Sequence, residues 1–262
     1  MSGEDRRALT RRRLGLMAGL LAGSLAVLLA PAEITTSSAG TVAPRQSYQE
    51  TFTTDKPNTP TGMVLKVDWL GNQPGEKPPT ITQDVFTFAA GSKLDFSVPA
   101  ICKATDAQLE RRGPSACPRT SMVGGGTVDL DTGKSVWLIP RIVKTRAWIF
   151  DGGAGKLITL AQTTNLPTPI PIRFVDRGTV SGTSITTMNP ALPGFPPPDN
   201  FVAVKRDRIR FFVVTKGSGA NRRGFLTTPP SCPAGGQWMN VASFSYHDGV
   251  TQQASSASAC TP

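Results

Sequence analysis

Proline and glycine recur along this chain at intervals too short for a long helix. The 262 residues include 23 prolines and 26 glycines. A proline inside a helix removes a backbone hydrogen bond and collides with the preceding turn. The share of these two residues exceeds the average of globular proteins but stays below the level typical of disordered chains. The chain is therefore expected to fold into short strands joined by turns.

Stretches of alternating polarity fill the intervals between these turn residues. In residues 63–69 the odd positions are apolar and the even positions include Lys66 and Asp68, which indicates a strand with one buried face. The apolar runs Val136–Ile139 and Ala147–Phe150 are interpreted as further strands, and Asp151-Gly152-Gly153 as a hairpin turn. About a dozen short strands result, which predicts an all-β fold arranged as a sandwich or jelly roll.

One short helix is predicted within this β sequence. Thr105 followed by Gln108 forms a capping box, and Gly113 with Pro114 provides a stop signal. A helix of this length is unstable alone in water. A disulfide between the flanking residues Cys102 and Cys117 would hold it in place.

The four cysteines are expected to form two disulfides in an oxidising compartment. Three connectivities are open to four cysteines, and the favoured pairs are the local ones, Cys102–Cys117 and Cys232–Cys260. No Cys-x-x-Cys pair is present and His247 is the single histidine, so the sequence does not predict a zinc site. No cofactor is expected.

The amino terminus has the features of a cleaved export signal. The basic residues Arg11–Arg13 precede the apolar stretch Leu14–Leu29, and Ala30-Pro31-Ala32 matches a cleavage site. The expected organisation is a signal peptide at 1–32, a flexible leader at 33–46 and a β-sandwich domain at 47–262. Both the twin-arginine and the general secretory routes stay open. The predicted location is extracellular or at the cell surface, without a transmembrane segment after cleavage.

The proline-rich stretch 189–200 leaves a second organisation open. It contains five prolines and is interpreted as a long loop within one domain or as a linker between two subdomains.

The net charge of +10 has two interpretations: attraction to an anionic partner, or ordinary solvated charge, since the basic residues are scattered along the chain. Without residues 1–32, 23 basic and 16 acidic residues remain, a net charge of +7. A basic exported protein is attracted to anionic wall polymers and glycans, whereas nothing predicts specific binding of nucleic acid. The proposed binding residues are Arg208, Arg210, Arg222 and Arg223. Charged residues on a strand also protect against aggregation, which is the competing interpretation.

Two carboxylates at the end of one strand suggest other chemistries. Asp129 and Asp131 share a strand face by alternation, so they are a weak candidate for a calcium site, although two oxygen donors are too few. The same pair could act as the two carboxylates of a glycosidase. A Ser-His-Asp triad would need His247, but the sequence lacks a Gly-x-Ser-x-Gly elbow. The sequence thus favours a protein without catalytic activity and leaves the question of an enzyme open.

Several short motifs follow one another in a distinctive order between Phe52 and the carboxyl terminus. They are Val98-Pro99-Ala100, Ala116-Cys117-Pro118, Ser121–Gly126, Pro229–Pro233, Trp238 and Cys260. This series resembles a group of uncharacterised secreted β-rich proteins of high-GC Gram-positive bacteria. The resemblance implies export and a β-rich fold, and it brings no activity or site residues.

The expected function is therefore a secreted or cell-surface module that binds an unknown ligand or serves a structural role. The ligand suggested by the charge is an anionic wall polymer or a glycan. The alternative is a secreted hydrolase that acts on glycans with Asp129 and Asp131. The sequence does not indicate the oligomeric state.

Overall fold

A computed structural model describes residues 43–167, 171–189, 192, 194 and 200–262. These residues contain sixteen strands and one short α-helix, α1 (Asp106–Arg112). Three 3-10 turns lie at Gly113–Ala116, Arg119–Ser121 and Gly219–Asn221. The strands are β1 (Gln46–Phe52), β2 (Pro60–Thr61), β3 (Met63–Trp69), β4 (Ile81–Thr87), β5 (Lys93–Leu94), β6 (Met122–Asp131), β7 (Ile142–Gly153), β8 (Lys156–Thr163), β9 (Arg173–Ser181), β10 (Ser184–Met188), β11 (Ala203–Phe211), β12 (Thr215–Lys216), β13 (Arg223–Gly224), β14 (Leu226–Thr227), β15 (Gln237–Tyr246) and β16 (Thr251–Ala259).

Eleven of these strands form one large sheet. Their order is β1-β3-β11-β6-β7-β8-β9-β10-β4-β15-β16, and all neighbours are antiparallel. The sheet curls until β16 lies beside β1, so the facing layers belong to one nearly closed sheet. The predicted all-β fold with a short stapled helix is confirmed. Strands from both sides of 189–200 take part in this sheet.

The contact between the first and last strands of the sheet is unusual, because the sheet has an odd number of strands. Strands that alternate in direction bring the first and the last strand together in parallel, so β1 and β16 cannot extend the antiparallel ladder. Side chains connect them instead. The backbone N–H of Glu50 donates to Ser256 Oγ at 2.9 Å, and that of Phe52 donates to Ser258 Oγ at 3.1 Å. We call this contact of β1 with β16 the seam.

The interior of the sheet is packed unevenly. Near the seam it is filled by aromatic rings: Phe244 contacts Tyr48, Trp69 and Phe86 with ring centroids 6.0–6.2 Å apart. Such edge-to-face contacts stabilise a core beyond simple burial. The half of the interior enclosed by β6–β10 and β11 carries smaller side chains, and this difference leaves the cavity described below.

The two ends of the sheet also differ. The lower end, where Phe211 lies, is closed by the small sheet β2-β14-β5 and by Phe225, whose ring stacks on Phe211 with centroids 6.4 Å apart. The upper end is the end that carries the connection from β6 to β7. Asp131, Ile142 and Ala203 are register partners at this end.

Helix α1 forms as the sequence predicts. Thr105 Oγ1 accepts the backbone N–H of Gln108, and the Gln108 side chain accepts the N–H of Thr105. The helix buries Leu109 against the outer face of β7 and β8, in a second apolar cluster with Phe150 and Leu160. Both predicted disulfides, Cys102–Cys117 and Cys232–Cys260, are present.

Three local predictions require correction. The hairpin from β7 to β8 turns at Ala154 and Gly155, both with positive φ, whereas Asp151 is fully buried in β7. Positive φ at both central residues is typical of a two-residue type I′ hairpin turn. Residues Val136–Ile139 form a hairpin tip with a single bridge in place of a strand. Strand β1 begins at Gln46, the last residue of the predicted leader.

The predicted signal peptide and residues 33–42 of the leader lie outside the described residues. Among the helices in the described part of the chain, none is long and apolar enough to span a membrane.

Candidate functional site

A cavity of about 190 Å³ lies inside the sheet, between its aromatic half and strands β6–β11. Its wall is mainly aliphatic and aromatic, with Leu65, Ile149 and Ile185 among the contributing side chains. The cavity extends towards the upper end, where Asn189 and Val202 line it. An apolar cavity of roughly 150 Å³ accommodates a molecule the size of benzene, so this one has room for a single ring with a small substituent.

Three aspartates face this apolar cavity from three different strands. Asp84 lies on β4, Asp176 on β9 and Asp207 on β11. Each occupies a position that alternation assigns to the interior. Asp84 is two residues from buried Phe86, and Asp207 is two residues from buried Ile209. Carboxyl groups at such positions are uncommon, because desolvation disfavours the charged form.

Asp84 is held by two donors. Thr187 Oγ1 donates to Asp84 Oδ2 at 2.5 Å, and Asn189 Nδ2 donates to Asp84 Oδ1 at 2.6 Å. Strand pairing explains this arrangement, since Thr187 is the register partner of Asp84 on β10. Burial nevertheless raises the pKa of Asp84, and the two hydrogen bonds offset only part of that effect.

Asp207 is the least satisfied of the three. Its Oδ1 atom is shielded from solvent and has no hydrogen-bond partner among the residues described. The residue as a whole is half-buried, but its Oδ1 atom is enclosed by protein atoms. Burial raises the pKa of Asp207 well above its ordinary value, and the charge of Asp84 adds to this effect. An unpaired polar atom in such a place costs about 1–3 kcal/mol.

Asp176 completes the group opposite Thr159, its register partner on β8. Burial, followed by the charge of Asp84, raises the pKa of Asp176 to about 6. The charge of Asp84 raises the pKa of both Asp176 and Asp207, so the two carboxyl groups are coupled to Asp84. We call Asp84, Asp176 and Asp207 the aspartate cluster. A positively charged group in the cavity would favour its ionised form.

The arginines proposed from the sequence lie elsewhere, on the outer surface. Arg208 donates to both carboxylate oxygens of Asp68 at 2.7 and 2.8 Å, and Arg223 pairs with Asp95 at 3.2 Å. These two are therefore largely neutralised by neighbours. Arg210 and Arg222 are exposed, and neither has an ion pair within the described ranges.

If an anionic polymer binds the outer surface, Arg210 and Arg222 are the arginines expected to contact it. Changing Arg210 and Arg222 to serine should lower the salt concentration that elutes the protein from a dextran sulfate column. Salt should also weaken binding of the wild type, because at physiological ionic strength charges are screened beyond about 8 Å. The control is the pair Arg111 and Arg119, which are also exposed. Equal shifts in both variants would show diffuse charge and contradict an arginine site.

The carboxylates Asp129 and Asp131 are both engaged with arginines. Arg141 donates to the two oxygens of Asp131 at 3.0 and 2.9 Å, and Arg206 lies 3.6 Å from Asp129. The two aspartates share the outer face of β6, as alternation predicts, and Asp131 is 1 % exposed. Such pairing leaves Asp131 few lone pairs for a cation or a substrate.

His247 is exposed at the end of β15 and its ring lies against Phe201, with centroids 4.6 Å apart. In the part of the chain that the structure describes, no group of three or more His, Cys, Asp or Glu residues is arranged to hold a metal ion. The cavity, with the unpaired Oδ1 atom of Asp207 at its wall, is the candidate functional site.

Comparisons with protein-family models, curated proteins and solved structures find no match. The function has to be argued from the cavity and the surface of this chain.

Sequence reasoning missed the aspartate cluster, although a signal was present. Asp84 is in phase with Phe86, and Asp207 with Ile209 and Phe211. A carboxyl group on the apolar phase of a strand indicates burial, and buried carboxyl groups indicate a functional site.

Proposed function

We propose that the protein binds a small organic cation in the cavity, with an apolar body against the aliphatic wall and a charged nitrogen at the aspartate cluster. The observation that carries this proposal is the unpaired Oδ1 atom of Asp207 beside an apolar space. An ammonium group would supply both the missing donor and the charge that the ionised carboxyl groups need. The protein would then act as a binding module without catalysis.

The cavity supports a ligand of limited size. About 190 Å³ suits one ring or a short branched chain, and it is too small for an oligosaccharide. This makes a glycan hydrolase a weaker proposal for the interior, and Asp131 is already occupied by Arg141 on the exterior. An anionic polymer remains a proposal for the outer surface only.

Export to the extracellular space or the cell surface is part of the same proposal. The two disulfides support it, because such bonds persist in oxidising compartments.

Titration with benzylamine and with benzyl alcohol tests the proposed ligand class. The two probes have the same size, but only benzylamine is charged. We expect benzylamine to bind more tightly, and its affinity to rise about tenfold between about pH 5 and pH 7. Over this range a carboxyl group with a pKa of about 6 changes from mostly protonated to mostly ionised. Ligand-observed NMR can follow such weak binding.

The variant Asp176→Asn should remove this pH dependence and leave binding of benzyl alcohol unchanged. Asp106→Asn is the matched control, because Asp106 is an exposed carboxylate on α1 that faces Arg177 outside the cavity. Equal affinity for the two probes at all pH values would refute the proposal, as would the absence of binding by either probe.

A further inference from the structure

The connection from β6 to β7 ends in an exposed apolar tip. Val136 and Ile139 donate backbone N–H groups to each other's carbonyl oxygens at 3.0 and 2.8 Å, which closes a two-residue turn. Trp137 and Leu138 form this turn. Trp137 is 93 % exposed and Leu138 is 41 % exposed. The largest apolar side chain type thus stands at the most solvent-accessible point of the hairpin.

The backbone conformation at this tip is unfavourable for a tryptophan. Trp137 has a φ of 46°, a region that glycine enters readily and bulky residues rarely. Two-residue hairpin turns with positive φ at the first central position normally contain glycine there. Strain of this kind persists mainly at functional positions. Trp137 therefore bears two costs, strain and exposure, and no side chain within the described ranges covers it.

Other exposed apolar side chains lie at the same end of the sheet. Leu70 follows β3, Ile172 precedes β9 and Met188 ends β10, with exposures of 43, 47 and 57 %. The register places all three at the upper end, together with the Trp137 hairpin. We call Leu70, Trp137, Leu138, Ile139, Ile172 and Met188 the apolar rim. It surrounds the end towards which the cavity extends.

We propose that the apolar rim docks on the surface of an anionic lipid bilayer, with Trp137 inserted at the level of the headgroups. Tryptophan favours this interface because its ring is apolar and its N–H is polar. Lys134 and Lys144 are exposed on either side of the hairpin, whereas Arg141 is neutralised by Asp131. Lys134 and Lys144 have no ion pair in the described part of the chain, and two such lysines beside an apolar tip complement anionic headgroups.

The size of the apolar rim favours a bilayer over a protein partner. A stable protein interface buries about 800 Å² and some 20–30 residues on each side. The six side chains of the apolar rim belong to four separate segments and provide much less. A bilayer requires no shape complementarity and responds to buried apolar area together with charge. The orientation would place the upper end of the sheet against the lipid.

Co-sedimentation of the full chain with vesicles tests this proposal. The vesicles contain phosphatidylcholine with a minority of phosphatidylglycerol. Changing Trp137 and Leu138 to serine should weaken binding about tenfold. The control variant changes Met239 and Val241 to serine. These residues are 50 and 37 % exposed on the outer face of β15, and the control should bind as the wild type does. Both variants keep residues 1–42, so any contribution of that segment is the same in each.

Fluorescence identifies the residue that inserts. Vesicles should shift the emission of Trp137 to the blue and protect it from iodide, and Trp137→Phe should remove this change. Continued quenching by iodide in the presence of vesicles would overturn the proposal, as would equal losses of binding in the two serine variants. Self-association that Trp137→Ser abolishes would show instead that a second copy of the chain covers the rim.

Discussion

Replacing Glu50 with glutamine should raise the free energy of unfolding at about pH 8, by an amount on the order of a few kcal/mol. The side chain of Glu50 is fully buried at the seam, where Tyr48 donates to its Oε2 at 2.8 Å. Its Oε1 atom has no hydrogen-bond partner among the residues that the structure describes. Burial raises the pKa of Glu50 from 4.5 to about 8, and the hydrogen bond from Tyr48 offsets only part of this. Each unit of difference corresponds to about 1.4 kcal/mol.

The sign of the pH dependence follows from proton binding. The folded protein holds the proton of Glu50 more tightly than the unfolded chain does, so stability falls as the pH rises. This loss of stability begins when the pH rises past 4.5, the ordinary pKa of a glutamate. It is complete above pH 8, because the pKa of Glu50 in the folded protein is about 8. Glutamine resembles the protonated acid in shape and still accepts the hydrogen bond from Tyr48. In the variant, the part of the fall in stability with rising pH that comes from Glu50 should therefore be mostly absent.

Urea unfolding at about pH 5 and about pH 8 measures this effect. The wild type should be more stable at the lower pH, and Glu50→Gln should narrow the difference. Part of the difference in stability between the two pH values will remain in the variant, because the pKa values of Asp84, Asp176 and Asp207 are also raised. Glu110→Gln on the exposed face of α1 is the control and should change little. A variant that keeps the full pH dependence of the wild type would show that Glu50 is not its source.

Replacing Gly126 with alanine should destabilise the protein by more than about 3 kcal/mol. A β-carbon at this position would overlap the carbonyl oxygen of Arg208 on the neighbouring strand β11. At Gly124 and Gly125 an added β-carbon would lie 2.8 Å from backbone oxygens of Arg210 and Ala147. Backbone atoms cannot give way as flexible side chains do, so the ladder between β11 and β6 would have to separate.

Gly235→Ala provides the matched control for this prediction. An added β-carbon at Gly235 meets no atom within 4 Å, so this variant should match the wild type in thermal unfolding. We expect Gly126→Ala to melt far lower or to remain insoluble. A normal melting temperature for Gly126→Ala would mean that β6 lies further from β11 than the structure shows. The glycine run is thus explained by strand spacing.

Features controlled by neighbouring residues were predictable from the sequence. The capping box of α1 needs only Thr105 and Gln108, and the alternation in β3 needs only seven successive residues. Both follow from local periodicity and hydrogen bonding. The strand predicted at Val136–Ile139 is wrong, because a short apolar run has the same composition whether it is buried or exposed.

The candidate site was not predictable in the same way. The phase of Asp84 and Asp207 could have indicated buried carboxyl groups, but not that they share a cavity with Asp176. Their meeting depends on the strand order, in which β4 follows β10 and β11 lies between β3 and β6. This order joins segments more than a hundred residues apart. No local pattern records such a pairing, since it reflects the packing of the whole sheet.

The seam joins the two ends of the folded chain. Ser256 Oγ contacts both the N–H and the carbonyl oxygen of Glu50, across a separation of 206 residues. Contacts of such high contact order form slowly, because a long loop must close first. The ring of strands cannot be completed until β16 is available. A chain truncated before Thr251 would lack the serine side chains that bond to β1, and β15 would become an edge strand open to pairing with other chains.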